Sequence, residues 1–526
     1  MARGALSVRR LLLAVAVAAA VAVALASWDR RAARELLPDG ARVAVELHGA
    51  GRVLAQVDDT RFAAAFAAGP TYSWLERSEA VRVLDDLRAA IGRVTGFTPG
   101  RRGLLLDLVG TDAAAAWYSG DGPPPQPDAD VPWITAGRLS LRGWALAAAG
   151  RAALRAGLLG AGVTPEDLGG TTVVTVGAGA GAIRLFVSGR LLVVGSNPDL
   201  TRQAARLAGG AGDRALTGSE DWRRVAAALP EGGTLRLFAR GGRLPQWTAG
   251  PSGAPPAAAG AVVAAGQPVT VDVFVDAPGA SARLQPGAKP PLPLALTGIA
   301  PLLSHAAAGP PPAFLADFLA ERAAAVARRQ GVAGAWLPAL GDGFALAITS
   351  VEEAGLFPRP HGLLAIAMRD GAAAQEALRR LFPPDARSAT AGRWGTALST
   401  RESLPLAGEF DLWGAAAGGR LVLATQPALI EALGPDAAPT GAVPALPAGA
   451  ALESVSAIDV ARLLPAVRRY AAPVAGLLRA RQRGLPDVAR DLELIAAVRT
   501  AGVAAGWTQA GSRSRITLAV GDLPAR

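Results

Sequence analysis

The chain has 526 residues, of which 51% are hydrophobic and 18% charged, with a formal net charge of +10. Its length suits two to four domains, and its composition is too apolar for a disordered chain and too evenly mixed for a polytopic membrane protein. The absence of cysteine excludes disulfides, thiolate nucleophiles, cysteine metal sites and lipid modification through an N-terminal cysteine.

At the N-terminus, Arg3, Arg9 and Arg10 precede an uncharged run from Leu11 to Ser27, closed by Trp28. Leu12, Leu13, Val15, Val17, Val21, Val23 and Leu25 supply its bulk. Basic residues ahead of an apolar run keep that end cytoplasmic and send the following chain outward. The run exceeds the usual signal-peptide core of about 7–15 residues and approaches the roughly 17 residues of a short span. A signal anchor over 1–28 is therefore expected, with the inner membrane as partner and the bulk of the chain extracytoplasmic. Cleavage after Ala26, in the small-x-small triplet Ala24-Leu25-Ala26, is the competing reading.

Beyond the anchor, Arg42 to Leu47 alternates apolar and polar residues as a strand does. Thr60 to Ala67 and Ser73 to Val94 read as helices, the second placing Trp74, Val81, Leu84, Leu87, Ala90 and Ile91 on one face. Leu104 to Val109, Ala113 to Trp117 and Trp133 to Leu141 read as strands, and Trp144 to Leu158 as an alanine-rich helix. Thr171 to Val176, Ala182 to Val187 and Arg190 to Val194 are rich in apolar and β-branched residues, and Gly189-Arg190 suits a tight hairpin turn. A helix follows from Pro198 to Leu207, with Asn197 or Ser196 to cap it and Gly209-Gly210 to end it.

Internal similarity runs through the remainder. Val109 to Tyr118 lines up with Leu340 to Thr349, and Leu139 to Leu154 with Ile366 to Leu381. Gly189 to Val193 lines up with Gly419 to Leu423, and Ala228 to Leu237 with Ala445 to Ser454. The blocks keep their order and nearly their spacing. Asp276 to Pro293 is rich in proline and glycine and reads as a connection. The expected organisation is a first repeat at 36–277, a linker at 278–291 and a second repeat at 292–526. The expected fold class is α+β: a single N-terminal transmembrane helix followed by two duplicated antiparallel-sheet-plus-helix halves.

Several segments carry a resemblance to a known family. They are the exported N-terminal anchor, Leu37-Pro38-Asp39 leading into the first strand, and the hairpin ending Gly189 to Ser196. Ala215 to Trp222, followed by Leu229-Pro230 and a strand, adds to them. The chain resembles a large bacterial family of anchored extracytoplasmic proteins carrying a domain of unknown function. The second half departs from it near Pro439 to Val443, where the acidic-aromatic signature is missing. The resemblance implies no catalytic residues.

Few residues suit chemistry. His48, His305 and His361 are far apart, without the spacing of a zinc helix. His48, at a strand end, reads as a capping or surface histidine. Lys289 is the only lysine and is followed by Pro290, so no phosphate loop forms around it. Gly177 to Gly181 lies between two strands rather than before a helix and reads as a hairpin loop. Asp58-Asp59, Asp85-Asp86 and Glu352-Glu353 read as solvated faces, with Asp59 as a helix cap, rather than acid–base pairs. Trp117, Trp133 and Trp144 read as core, with a hydrophobic ligand groove as the sharper alternative. The arginines are scattered, so no nucleic-acid partner is expected.

No catalytic, cofactor-binding or metal-ligating residue is nominated, and no cofactor is expected. The sequence points to a non-enzymatic, membrane-anchored cell-envelope protein for interaction or scaffolding, with an envelope protein or lipid as partner. A carrier of hydrophobic ligands is the alternative, and a periplasmic hydrolase using carboxylates is the third reading.

Overall fold

The computed structural model describes residues 31–49, 112–118, 131–155, 163–168, 170–177, 182–210, 214–241, 256–266, 268–277, 296–330, 340–354, 357–404, 408–434, 445–446, 450–467 and 496–520, with isolated positions 85, 88, 100 and 103. Twenty strands dominate these residues. The expected class, an α+β chain with one transmembrane helix and two duplicated sheet-plus-helix halves, is therefore corrected to a largely antiparallel β architecture. Among the described residues, no helix is long and apolar enough to cross a membrane. The expected anchor residues Arg9 to Trp28 lie outside the described residues, as do most of the two helices expected over 60–94.

The physical reason for the correction lies in residue size. Many strands are built from alanine, glycine and valine: β2 (Asp112–Trp117) is legible as a strand in the sequence, but β9 (Ala258–Ala264), with the sequence Ala-Ala-Gly-Ala-Val-Val-Ala, is not. Alanine has weak intrinsic preference for strands, but a central strand is held by neighbours on both sides and by burial. Sequence periodicity therefore undercounts such strands, above all in the second half.

The chain divides into two compact units, with the change between Ala265 and Gly266. In the first unit, β1 (Val43–His48) lies between β2 and β8 (Leu235–Arg240). Next to β2 come β3 (Trp133–Arg138), β7 (Leu191–Gly195), β6 (Ile183–Ser188), β5 (Thr171–Val176) and β4 (Val163–Leu168). Beyond β8 lies β9 (Ala258–Ala264). The order from one edge is thus β4-β5-β6-β7-β3-β2-β1-β8-β9, all antiparallel. The exposed edge strand β4 carries Pro165, Glu166 and Asp167, which discourage another strand from adding there.

One face of this sheet is covered. Ala44, Ala114, Ala116, Ile134, Ala136, Val193 and Phe238 are buried on it. Above them pack the 3-10 turn Ala33–Leu36, helix α2 (Pro198–Ala208) and helix α3 (Glu220–Ala228). Trp222 of α3 meets Phe238 of β8 with ring centroids 5.2 Å apart. Helix α1 (Leu141–Arg155) follows β3. Small residues set the approach of the helices. A Cβ on Gly195 would lie 2.7 Å from Thr201 Oγ1 of α2, and one on Gly260 would lie 2.3 Å from Val225 Cγ1 of α3.

The second unit contains β10 (Val269–Asp276), so the compact division precedes the 278–291 connection read from the sequence. Its order is β14 (Arg387–Thr390), β15 (Thr396–Leu404), β16 (Gly408–Ala417), β17 (Arg420–Ala424), β13 (Phe357–Met368), β12 (Leu340–Ala354), β11 (Leu303–Ala307), β18 (Ala451–Asp459), β19 (Val498–Trp507), β20 (Gly511–Val520) and β10. Its first nine strands succeed one another by the same connections as those of the first unit.

Both faces of β13, β16 and β17 are buried. On one side, α4 (Ala313–Arg329) and α5 (Gly371–Leu381) cover Ile366, Met368, Leu412, Ala416, Leu421 and Leu423. On the other, α6 (Pro427–Ala432) and the turn Gly392–Trp394 cover Leu363, Ala365, Ala415, Val422 and Ala424. Strands buried on both faces read as continuous apolar runs, which is how Arg-Leu-Val-Leu-Ala of β17 reads.

Candidate functional site

A group of four ionisable side chains, Arg34, Glu46, His48 and Asp112, lies at one end of the covered face of the first unit. Glu46 and His48 alternate along β1, so their side chains share a face. Antiparallel register sets Asp112 of β2 directly opposite His48. His48 Nδ1 lies 3.0 Å from Asp112 Oδ1, and His48 Nε2 lies 3.3 Å from Glu46 Oε2. Arg34 Nη1 donates to the same Glu46 oxygen at 3.3 Å. The backbone N–H of Ala33 donates to Asp112 Oδ2 at 3.1 Å.

The electrostatics follow from this geometry. Hydrogen bonds to Asp112 and then Glu46 push the His48 pKa up to about 9, against the opposing effect of burial. The ring is an imidazolium at neutral pH and donates from both nitrogens. Burial alone would raise the Asp112 pKa, but the His48 hydrogen bond and the Ala33 N–H outweigh it and leave it lowered. The Glu46 side chain is only 2% exposed, and its Oε1 has no hydrogen-bond partner among the described residues. Arg236 of β8 stands in register opposite Glu46, with its own Nε buried and without a hydrogen-bond partner among the described residues.

The segment ahead of β1 is fastened along its length. Arg31 donates from Nη1 to the carbonyl of Ala208 at 2.7 Å and from Nη2 to Ser188 Oγ at 3.0 Å. Arg138 donates to the carbonyl of Arg31. Leu36 and Leu37 are buried, and Leu216 N–H donates to the Leu37 carbonyl at 2.8 Å. Tyr118 donates its hydroxyl to the Pro38 carbonyl at 2.8 Å, and burial raises its pKa. Arg240 pairs with Asp39 at 3.0 Å. The charged cluster is the polar end of this strap.

Chemically, the arrangement is a cation held between two carboxylates. Each carboxylate already has a second donor, Arg34 or Ala33, and both imidazole nitrogens are engaged. No group of three or more His, Asp or Glu side chains suited to a metal ion occurs among the described residues.

The other singled-out residues are dispersed. His361 Nε2 lies 3.0 Å from Glu352 Oε2, and Arg359 pairs with the same carboxylate at 3.4 Å. Glu352 is half exposed, so this is a surface group on the β12–β13 hairpin. His305 Nδ1 meets Ser456 Oγ at 2.8 Å, its ring lies 5.4 Å from that of Phe344, and burial lowers its pKa. Asp85 pairs with Arg88 at 2.8 Å, one helical turn away. Asp58 and Asp59 lie outside the described residues, as do Ala178 to Gly181. Gly177 follows β5, between two strands as expected. Trp117 and Trp133 face one another across the β2–β3 pair, while Trp144 lies in α1.

Sequence reasoning placed His48 at a strand end but missed its partners. The alternation Glu46-x-His48 was the available signal for one shared face. Nothing in the local sequence points to Asp112, which only strand pairing brings near.

No protein-family model matches the chain, and no curated protein matches it. Among solved structures, one titled "Structure of crystal form I of TP0453" is similar at 9% identity, covering 48% of this chain and 81% of that chain with a TM-score of 0.26. A likeness of that degree carries no argument about fold or function.

Proposed function

We propose that the chain is a non-enzymatic, membrane-anchored cell-envelope protein whose extracytoplasmic residues serve interaction or scaffolding. The observation that carries this reading is the use of the Glu46–His48–Asp112 cluster. Its carboxylates hold the strap at two points, Asp112 accepting from the Ala33 N–H and Glu46 from Arg34, a few residues after the expected span ending at Ser27 and Trp28. A firm attachment next to an anchor suits a module that bears load or holds a partner at the membrane. An imidazolium saturated by two carboxylates is a poor general base, because it has no free lone pair.

A reporter fused after Arg526 tests the topology. Activity of an extracytoplasm-specific reporter is expected, and activity only of a cytoplasm-specific one would overturn the reading. Crosslinking from intact membranes should then capture a stable envelope partner.

A specific observation favours the second reading, a carrier of hydrophobic ligands such as lipids. Leu346, His305, Ser456, Val503, Ile516 and Val271 stand in register across six neighbouring strands of the second unit. All are exposed or half-buried, Leu346 at 36%. Co-purifying lipid in native mass spectrometry, lost in Val503→Asp, would support this reading over the first.

A further inference from the structure

We propose that the second unit binds a small ligand through a phosphate or carboxylate group, in a notch at the outer edge of its sheet. Strand β14 pairs with only Thr396 to Ser399 of β15, whereas β15 runs on to Leu404 alongside β16. Past Ser399, no strand lies beside the outer edge of β15 among the described residues. In the first unit the corresponding edge strand, β4, pairs along the whole of β5. The last turn of α4 and the turn at 383–386 wall the start of the open edge. They leave a cavity of about 390 Å³, lined by Arg329, Asp385, Arg387, Ser399 and Arg401 among others. Clefts for small ligands occupy roughly 300–1,000 Å³.

The lining is rich in donors. Arg329, in the last turn of α4, is exposed and has no ion-pair partner among the described residues. Arg387 donates to Asp411 Oδ1 at 2.6 Å, which engages one of its N–H groups. Arg401 approaches Asp411 and Glu409 only to 3.7 Å, beyond hydrogen-bond reach. Exposed ion pairs of this kind are weak and yield to a better acceptor. Ser399 is 1% exposed, and its Oγ has no hydrogen-bond partner among the described residues. A buried hydroxyl without a partner carries a cost that a ligand oxygen removes.

The main chain adds to this set. Ala391 N–H donates to the Gly395 carbonyl at 2.8 Å where β14 turns into β15. Bonded pairs recur at every second residue, so Arg387 and Ser399 form one, and the N–H of Arg401 is the next to face the open edge. Asp385, the acid in the described lining, is exposed and suits a hydroxyl beside the bound anion. Glu402, one residue further, is matched by Arg322 at 2.8 Å. Guanidinium groups take phosphate and carboxylate oxygens in pairs of hydrogen bonds. Three of them around a buried hydroxyl fit an oxyanion, and Pro383 and Pro384 offer the remainder of the ligand an apolar wall.

Glycerol 3-phosphate, glycerate and inorganic phosphate, titrated into the full chain by isothermal calorimetry in chloride buffer, test the site. At least one should bind saturably with a Kd of about 1 mM or tighter. Binding of glycerate alone identifies a carboxylate ligand. Binding of the ester identifies a phosphate ligand, and equal affinity for inorganic phosphate identifies free phosphate as sufficient. Arg329→Gln and Arg401→Gln alter exposed side chains and should each weaken binding about tenfold. Arg328→Gln removes the same charge from the same turn of α4, outside the described lining, and should leave the affinity unchanged. Absence of saturable binding by all three probes, or an equal loss in Arg328→Gln and Arg329→Gln, would overturn the site.

Discussion

His48 and Asp112, 64 positions apart in sequence, meet at 3.0 Å because β1 and β2 run antiparallel in a register that sets them directly opposite. The contact converts a neutral-range histidine into a fixed cation. It also orients the carboxylate whose other oxygen holds the Ala33 N–H.

This pair gives a pH dependence with a definite sign. The His48 pKa is raised from 6.5 to about 9, so folding favours the protonated ring. The stabilisation is fully present below pH 6.5 and is lost as pH rises through about 9. The urea midpoint of the chain should fall over that window, and His48→Gln should remove the slope. An identical slope in wild type and variant would refute the assignment. At the acid end, Asp112 works in the opposite sense, and its contribution is lost as pH falls below its ordinary value of 3.8.

Glu46→Gln tests the strap. The substitution keeps the shape but removes the charge that Arg34 and His48 share. A loss of about 1–3 kcal/mol is expected for disturbing a buried, charge-assisted group. Trypsin cleavage after Arg31 and Arg34 should accelerate more than cleavage after Arg387, which lies in the second unit.

Asn197 caps α2, accepting from the N–H groups of Asp199 and Leu200 at 2.9 and 3.1 Å. Asn197→Ala should cost about 1 kcal/mol, whereas Asn197→Asp should retain the cap. Thermal unfolding of the two variants distinguishes the cap from a general effect of the position.

Gly414 lies beneath the Phe382 ring, where a Cβ would meet Cε2 at 2.3 Å and Cζ at 2.6 Å. Gly414→Ala should destabilise by about 1–3 kcal/mol through overpacking. Combined with Phe382→Leu, the total loss should be smaller than the sum of the two, because the shorter side chain makes room. Additive losses in denaturant titrations would show that the contact is not responsible.

Trp222 is 5% exposed and packs on Phe238 where α3 crosses the sheet. Trp222→Ala should cost about 3–5 kcal/mol. Near-ultraviolet circular dichroism should report the loss of the ring pair before the far-ultraviolet strand signal changes.

Local rules made several elements legible. Period-two alternation exposed β1, and the sequence Ser196-Asn197-Pro198 announced α2 with its cap and first-turn proline. Gly189-Arg190 marked the β6–β7 turn. The internal matches fall on β2 and β12, on β7 and β17, and on β8 and β18, whose places in the two strand orders correspond. These signals are short-range, set by backbone preference and side-chain spacing within a few residues.

What the sequence by itself determined is therefore a set of local facts: a basic-then-apolar N-terminus, individual strands and caps, and the lack of thiol chemistry. The tertiary structure alone decided the β-dominated class, because alanine and glycine strands owe their state to neighbours rather than to propensity. It alone decided the His48 site as well. Asp112, Ala33 and Arg34 reach His48 and Glu46 through strand register and a docked strap, and no pattern along the chain records a contact made by pairing distant residues.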